Sequence, residues 1–114
     1  MNHLSTELIA SAEAASGDAG SRQLAARFAA LSHPARIKIL QHLARQESCC
    51  CGDVVQKFDL AQSTVSQHLK ILVEAGLVAF EPDRRRSRYR IDREALSGLS
   101  DSVAKLIDSC CSSR

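Results

Sequence analysis

The stretch that decides the fold is LAQSTVSQHLKILVEAGL, residues 60–77. Val65, Leu69 and Leu72 lie at positions i, i+4 and i+7, a spacing that places all three on one face of an α-helix. Gly76 follows the last apolar turn and supplies the left-handed residue that commonly ends a helix. The pattern predicts an amphipathic helix with one side packed against a core.

The outer side of this helix has an unusual composition. Its residues carry mostly short hydrogen-bonding side chains: Gln62, Ser63, Thr64, Ser66, Gln67 and Lys70. A solvated helix face would carry more Glu and Lys, whereas amides and hydroxyls on the first two turns suit the reading of base edges in the DNA major groove. We predict that these residues contact DNA, and that Gln62 or Ser63 also caps the helix.

The composition indicates a single globular domain. The chain has 114 residues, of which 45% are hydrophobic and 25% charged, and its aromatic content of 4% implies an aliphatic core. It contains no apolar run of about 18 residues and no N-terminal signal pattern. We therefore expect a cytoplasmic protein without a membrane partner.

The chain before residue 60 predicts further helices. A short helix is expected over residues 5–15, within an extension of residues 1–20, and Ser21 is the expected N-cap of the next helix. Another helix runs to Arg45, with Ser32 as its expected cap and Pro34 in its first turn. Its predicted inward residues are Ile37, Ile39, Leu40 and Leu43, and its predicted outward residues are Arg36, Lys38 and Gln41.

A short helix, a turn and the polar-faced helix then follow in succession. Asp53 is the expected cap of a helix ending near Lys57, and residues 58–60 form the turn. This order predicts a helix-turn-helix, whose second helix enters the major groove.

The residues after Gly76 predict a β-hairpin. Residues 77–80 form one strand, Pro82-Asp83 marks the turn, and residues 87–91 alternate in the manner of a second strand. A hairpin behind a helix-turn-helix is a wing. Its predicted DNA-backbone contacts are Arg84, Arg85, Arg86 and Arg88.

The last helix is predicted over residues 93–109, with Asp92 as its cap and an apolar stripe along its length. A domain of this size does not need a further long apolar helix for its core. We expect this helix and the one after Ser21 to form a homodimer interface, which predicts an inverted-repeat operator on double-stranded DNA. The predicted fold is mainly α with a small β-hairpin, a winged helix-turn-helix over residues 21–111, with a tail at 112–114.

Five cysteines lie in two groups, and they are Cys49, Cys50, Cys51, Cys110 and Cys111. Their odd number argues against a disulfide framework, and clustered thiols in an intracellular protein favour soft-metal binding or redox sensing. The first three are expected in a loop, and the two groups predict two metal sites or one composite site. The histidines are expected to pack or to cap rather than to bind metal.

Three segments carry a resemblance to a known family. LSHPARIKILQHL (31–43), CGDVVQKFDLAQSTVSQHLKILVEAGLV (51–78) and RSRYRI (86–91) resemble the ArsR/SmtB family of dimeric winged-helix repressors. The resemblance covers roughly residues 22–110. It implies a repressor that leaves its operator when an inducer binds, and it implies no enzymatic activity.

The resemblance also bears on the inducer. Many arsenic-, cadmium- and lead-responsive members carry C-x-C at the start of the first helix of the helix-turn-helix. Here the first cysteine of that motif falls on Cys50 and the second on Gly52. Zinc-binding members use a histidine on the last helix, which this chain lacks, whereas some arsenic-responsive members end that helix in Cys-Cys, as this chain does at 110–111.

These comparisons favour trivalent arsenic or antimony as the inducer. Another thiophilic ion (cadmium, lead or zinc) and a redox or reactive-sulfur signal remain alternatives. An architectural DNA-binding protein is a further alternative. A thiol oxidoreductase is disfavoured, because the chain has no C-x-x-C in a βαβ context.

Overall fold

The computed structural model describes residues 19–112. Its elements in this range are α1 (Ala19–Ala30), α2 (Pro34–Ala44), β1 (Cys49–Cys50), α3 (Cys51–Phe58), α4 (Gln62–Glu74), β2 (Val78–Glu81), β3 (Arg88–Ile91) and α5 (Arg93–Cys111). The helix expected over residues 5–15 lies outside the described residues. Within them, no helix is both long and apolar enough to cross a membrane.

The core forms around α4, as its apolar spacing predicts. Val65, Leu69 and Leu72 are completely buried. They pack with fully buried side chains from α2, α3 and the residues after α4, namely Ile39, Leu43, Val54 and Leu77. The helix-turn-helix of α3 and α4 is thus held by the same aliphatic cluster that anchors α2.

Gly76 ends α4 in the predicted way. Its φ of 80° is left-handed, and the amides of Gly76 and Leu77 donate to the carbonyls of Val73 and Leu72 over 2.9 and 3.1 Å. This pair of bonds is the Schellman arrangement, which satisfies carbonyls at a helix end. It turns the chain directly from α4 into the wing.

The wing has one strand more than the predicted hairpin. The sheet order is β1-β3-β2 and both pairings are antiparallel. Tyr89 of the central strand β3 therefore lies between Cys49 of β1 and Phe80 of β2. The expectation that Cys49–Cys51 form a loop is therefore wrong. A strand of two residues is too short to show alternation, so only its pairing with β3 defines it.

Three of the predicted N-caps before α4 are wrong. Helix α1 begins at Ala19, so Ser21 lies inside it. His33 caps α2 by accepting from the amide of Ala35 over 3.1 Å, while the Ser32 hydroxyl donates back to Ala29 at the end of α1.

The predicted cap of α3 is the third of these. Cys50 is the N-cap residue, and Asp53, three residues on, accepts from the amide of Cys50 over 3.3 Å. The carboxylate thus reaches back to the helix start from within the first turn, which is the geometry of a capping box.

The predicted cap of α4 is also wrong. Helix α4 begins at Gln62 after Ala61, whose side chain cannot cap. The side chains of Gln62 and Ser63 are thereby left on the exposed surface.

Helix α2 faces the core as predicted through Ile39, Leu40 and Leu43, but the prediction is wrong for Ile37 and Arg36. Ile37 is 43% exposed, whereas Arg36 is half-buried. The inward stripe runs through residues 36, 39, 40 and 43, which is the i, i+3, i+4, i+7 pattern, and Ile37 lies off that line. A pattern of apolar residues selects Ile37 for the inward face, because it does not count the arginine that occupies the inward position beside it.

The last helix follows its prediction and extends two residues beyond it, through Cys111. Asp92 caps it by accepting from the amide of Ala95 over 3.0 Å. Leu99 is buried in the core, but Leu106 and Ile107 are 43% and 54% exposed. Within residues 19–112 the C-terminal half of this helix therefore carries large apolar side chains that no other element covers.

Candidate DNA-binding surface and thiol cluster

The polar side of α4 is open to solvent. All the residues predicted to read bases are exposed, and they are Gln62, Ser63, Thr64, Ser66, Gln67 and Lys70. Because Ala61 offers no capping side chain, the first amides of α4 have no side-chain acceptor among residues 19–112. A helix N-terminus of this kind carries partial positive charge and binds phosphate well.

The side of α4 that faces inward is fixed by a polar contact. Nε of Arg36 donates to Nδ1 of His68 over 3.2 Å, and the His33 ring lies 4.7 Å from the ring of His68. Burial, with the nearby positive charges of His33 and Arg36, holds the pKa of His68 below its ordinary value. The uncharged imidazole can therefore accept from the guanidinium, which adds a bond from α2 to the apolar packing that orients α4.

Arg27 of α1 joins the far end of α4 to α5. Its guanidinium donates to the carbonyl of Ala75 over 3.1 Å and to the carbonyl of Ala95 at 3.5 Å. A cation at the C-terminal end of a helix is favourable because carbonyl oxygens concentrate negative charge there. Of the two helices expected to form a dimer interface, α1 is thus attached directly to the helix expected to read DNA, and α5 is attached through Arg27 of α1.

The wing arginines fall into two groups. Arg84 and Arg85 are exposed, and within residues 19–112 their side chains make no hydrogen bond or ion pair. Arg88 is held by Ser48 over 3.0 Å and by Asp83 over 3.4 Å. Arg86 reaches across to the thiol cluster.

Each sulfur of Cys49–Cys51 contacts a different partner. Cys49 Sγ lies 3.8 Å from Nε2 of His42, and Cys50 Sγ accepts from Nη1 of Arg86 over 3.4 Å. Cys51 Sγ lies 3.6 Å from the hydroxyl of Ser66 on α4. Two of the three thiols therefore touch residues predicted to bind DNA.

The strand geometry separates Cys49 from Cys50. Successive residues of a strand point to opposite faces, so Cys49 faces the core and Cys50 faces the wing. Burial, followed by the negative charge of Asp53 and of Cys50, raises the pKa of the Cys49 thiol. This environment disfavours loss of the Cys49 proton.

Cys50 and Cys51 share one cavity of about 390 Å³, between the start of α3, the start of α4 and the wing. Arg86, Ser66 and Tyr89 also line it. Burial and the neighbouring Cys51 raise the pKa of the Tyr89 hydroxyl, so that it remains a hydrogen-bond donor. The cavity combines two sulfurs with cationic and hydroxyl groups.

No three His, Cys, Asp or Glu side chains of residues 19–112 form a group able to hold a metal ion. Cys110 and Cys111 are exposed at the end of α5, and the helix includes both of them. Consecutive helical residues point about 100° apart. One chain as folded thus offers one pair of sulfurs in a shared cavity, Cys50 and Cys51.

Sequence reasoning missed two members of this cavity. The alternation of residues 87–91 predicts only which face of the strand Tyr89 shares with Ile91, and with residues 49–51 expected in a loop it does not predict that Cys49 lies opposite Tyr89. The bond between Arg86 and Cys50 joins residues 36 positions apart. The only available signal was the alternation of residues 87–91, which places Tyr89 on the side opposite Arg88.

Comparison with known proteins gives the family. Residues 33–79, which span α2 to β2, match the family described as "Bacterial regulatory protein, arsR family". The arsenical resistance operon repressor of Bacillus subtilis is 33% identical over 78 residues, which are 68% of this chain and 74% of that protein. The chain belongs to the ArsR family.

Two further relatives broaden this assignment. The HTH-type transcriptional repressor SmtB of Mycobacterium tuberculosis is 40% identical over 76 residues, 66% of this chain and 56% of that protein. The homodimeric winged helix-turn-helix domain of a possible ArsR-family regulator from Mycobacterium bovis superposes with a TM-score of 0.64 at 28% identity, covering 84% of each chain.

The ArsR-family chain is therefore a transcriptional repressor with a winged helix-turn-helix DNA-binding domain. Its relatives are regulators rather than enzymes, which confirms the expectation drawn from the sequence. They include both arsenical repressors and SmtB, so the family alone leaves the inducer open.

Proposed function

We propose that this ArsR-family repressor binds an inverted-repeat operator as a homodimer and is released by a thiophilic inducer, trivalent arsenic or antimony. The observation that carries the proposal is the shared cavity of Cys50 and Cys51, whose other walls include Ser66 of α4 and Arg86 of the wing. An inducer bound there lies between the two elements expected to hold DNA.

The DNA-binding half of the proposal rests on the surface of α4 and the wing. Short polar side chains cover the exposed face of α4, and exposed arginines extend the surface along the wing. Base contacts by Ser63 and Gln67 would specify sequence, whereas contacts by the arginines would add affinity without specificity. This division of roles is testable with separate variants.

The dimeric half is supported by uncovered apolar surface. Phe28 of α1 and Leu106 and Ile107 of α5 are large and exposed. The M. bovis relative, similar in fold over most of its length, is a homodimer. A two-fold dimer presents two reading helices to one face of a duplex, which favours an operator with inverted symmetry.

The choice of inducer follows from the donors. Thiolates prefer soft ions, whereas zinc prefers four nitrogen or sulfur ligands in a tetrahedron. The cavity holds a pair of sulfurs and no histidine. Arsenous acid, As(OH)₃, can exchange one hydroxyl for each thiol and release water, so a pair of thiols is enough to hold it.

The decisive experiment is a titration of operator release, followed by fluorescence anisotropy. Arsenite, antimonite, cadmium, zinc and polysulfide are added to the wild type, to Cys50→Ser/Cys51→Ser and to Cys110→Ser/Cys111→Ser. We expect release of the wild type by arsenite and antimonite, and no release of the first variant. The second variant is the matched control and should respond normally.

Other outcomes separate the alternatives. Release only by polysulfide indicates a reactive-sulfur sensor, and release only by zinc or cadmium indicates a metal sensor of the SmtB kind. Loss of the response in Cys110→Ser/Cys111→Ser alone would move the site to the end of α5.

A further inference from the structure

Cys50 connects two parts of the DNA-binding surface that are distant in sequence. It is the N-cap residue of α3, it pairs with Arg88 in the sheet and it is only 6% exposed, so the surrounding backbone fixes its position. Arg86 lies in the exposed turn between β2 and β3 and donates to the Cys50 sulfur over 3.4 Å. A buried group thereby holds a side chain that otherwise extends into solvent.

Arg86 differs from the arginines beside it. In the part of the chain that the structure describes, the side chains of Arg84 and Arg85 have no hydrogen-bond or ionic partner. Arg86 donates to Cys50 through Nη1, and most of the N–H groups of its guanidinium stay available for a phosphate oxygen. Of these consecutive arginines, Arg86 alone is oriented before DNA arrives.

We propose that Cys50 is a positioning residue for DNA binding: its sulfur holds the Arg86 guanidinium against the DNA backbone, and a soft ligand that takes this sulfur removes the contact. An arginine ordered in advance loses less conformational freedom when it meets a phosphate, so it binds more tightly. The second clause of the proposal rests on the proposed function, because it requires the inducer to bind Cys50.

The chemistry of induction then acts on the contact directly. When Cys50 reacts with arsenous acid, the S–H and one As–OH bond break, an As–S bond forms and water leaves. The sulfur now shares a lone pair with arsenic and is a poorer acceptor for Arg86. The same ligand in the shared cavity would also separate Cys51 from Ser66, which lie 3.6 Å apart.

A double-mutant cycle tests the positioning role without any inducer. Binding to a labelled duplex of the chain's own promoter is measured over a salt series for the wild type, Cys50→Ala, Arg86→Ala and the double variant. We expect each single variant to bind about threefold to tenfold more weakly. The slope of log K against log salt should fall by up to about 0.9 per protomer, because one phosphate contact is lost.

The cycle should be strongly non-additive. The double variant is expected to bind no more weakly than Arg86→Ala, since Cys50 acts through Arg86. Cys50→Ser, whose hydroxyl can accept from Arg86, should restore most of the affinity. The matched control pairs Cys50→Ala with Arg85→Ala, and these effects should add.

Additive effects of Cys50→Ala and Arg86→Ala overturn the proposal. So does a loss of affinity in Cys50→Ala with an unchanged salt slope, because a merely structural role produces that result. If Cys50→Ala does not fold, Cys50→Val keeps the volume without the acceptor and the cycle is repeated with it.

The same salt series is then measured with arsenite present. Saturating arsenite should lower the salt slope of the wild type to that of Arg86→Ala, and it should change the slope of Arg86→Ala much less. If the wild type shows no preference for its promoter over random duplex, the proposed function fails and this inference with it. If the preference exists but the cycle is additive, only this inference fails.

Discussion

His68 shows how one residue sets the orientation of the reading helix. Its side chain lies on the buried face of α4, and its Nδ1 accepts from Arg36 of α2. A protonated ring has no acceptor for this bond, so the contact requires neutral imidazole. The hydrogen bond between α2 and α4 therefore depends on the protonation state of His68.

The stability of the domain should depend on His68 as pH falls. Burial, then the charges of His33 and Arg36, lower the folded-state pKa of His68 below its ordinary 6.5. As pH falls, the unfolded chain binds the proton before the folded chain does. The contribution of His68 to stability is therefore fully present above the ordinary pKa of 6.5 and is lost as pH falls from there toward the lower folded-state pKa. Urea unfolding between about pH 7.5 and pH 5 should show a steeper loss for the wild type than for His68→Gln. Parallel curves would contradict this assignment.

Gly76 and Gly52 provide a matched pair of substitutions. Gly76 has a φ of 80°, and a Cβ there would lie 3.2 Å from the Arg27 guanidinium, so Gly76→Ala should lower the free energy of unfolding by about 1–2 kcal/mol. At Gly52 a Cβ would meet Cys50 Sγ at 3.8 Å, an ordinary contact. Gly52→Ala should therefore raise the free energy of unfolding by about 0.5 kcal/mol. Chemical denaturation measures both, and equal effects would exclude the role of the left-handed backbone at Gly76.

Among the elements, α4 lacks the stabilising side-chain cap that a helix N-terminus commonly has. The preceding residue, Ala61, has the extended backbone of an N-cap but no side chain to accept from the helix amides. A good cap at this position is typically worth about 1 kcal/mol. The open amides are instead available to an anionic partner, which is the expected use at a DNA-facing helix.

Substitutions of Ala61 should separate stability from DNA binding. Ala61→Ser and Ala61→Asp should each raise the free energy of unfolding by about 0.5–1 kcal/mol, because both side chains cap α4. Ala61→Asp should also weaken operator binding, since its charge repels phosphate, whereas Ala61→Ser should change binding much less. Thermal denaturation and anisotropy give the two readouts. Equal operator affinities for the two variants would show that the start of α4 lies away from the phosphates.

At the scale of the whole molecule, the residues that the structure describes leave large apolar side chains of α5 exposed. Leu99 of α5 reaches the core, but Leu106 and Ile107 lie further along the helix and remain exposed. Arg27 connects α1 to both α4 and α5, so a partner docked on the outer helices would also brace the reading helix. Dimerisation and DNA binding are expected to be coupled through this contact.

Leu106→Glu/Ile107→Glu should therefore convert a dimer to a monomer. Charges on both protomers would face each other in an apolar interface, where burial of unpaired charge is strongly unfavourable. Sedimentation should show the halved mass, and operator affinity should fall because a single protomer reads one half-site. Phe80→Thr is the control: Phe80 is another exposed apolar side chain, but it lies on the wing and packs on Tyr89. An unchanged mass for the α5 variant would refute the proposed interface.

The repeating patterns of the sequence determined the helix-turn-helix, the wing strands and the exposed polar face of α4. Each of these follows from local periodicity, and the left-handed turn at Gly76 follows from the freedom of a single residue. The inward arginine of α2 and strand β1 did not follow, because each depends on a neighbour distant in sequence, His68 for Arg36 and β3 for β1. The caps of α2 and α3 are local contacts, but neighbouring polar residues compete for each of them and the pattern does not rank these residues. The sulfur contacts of Cys50 and Cys51 belong to this second class. Only the folded chain brings Arg86 and Ser66 to those thiols, since the packing of α3 between α4 and the wing decides which side chains meet.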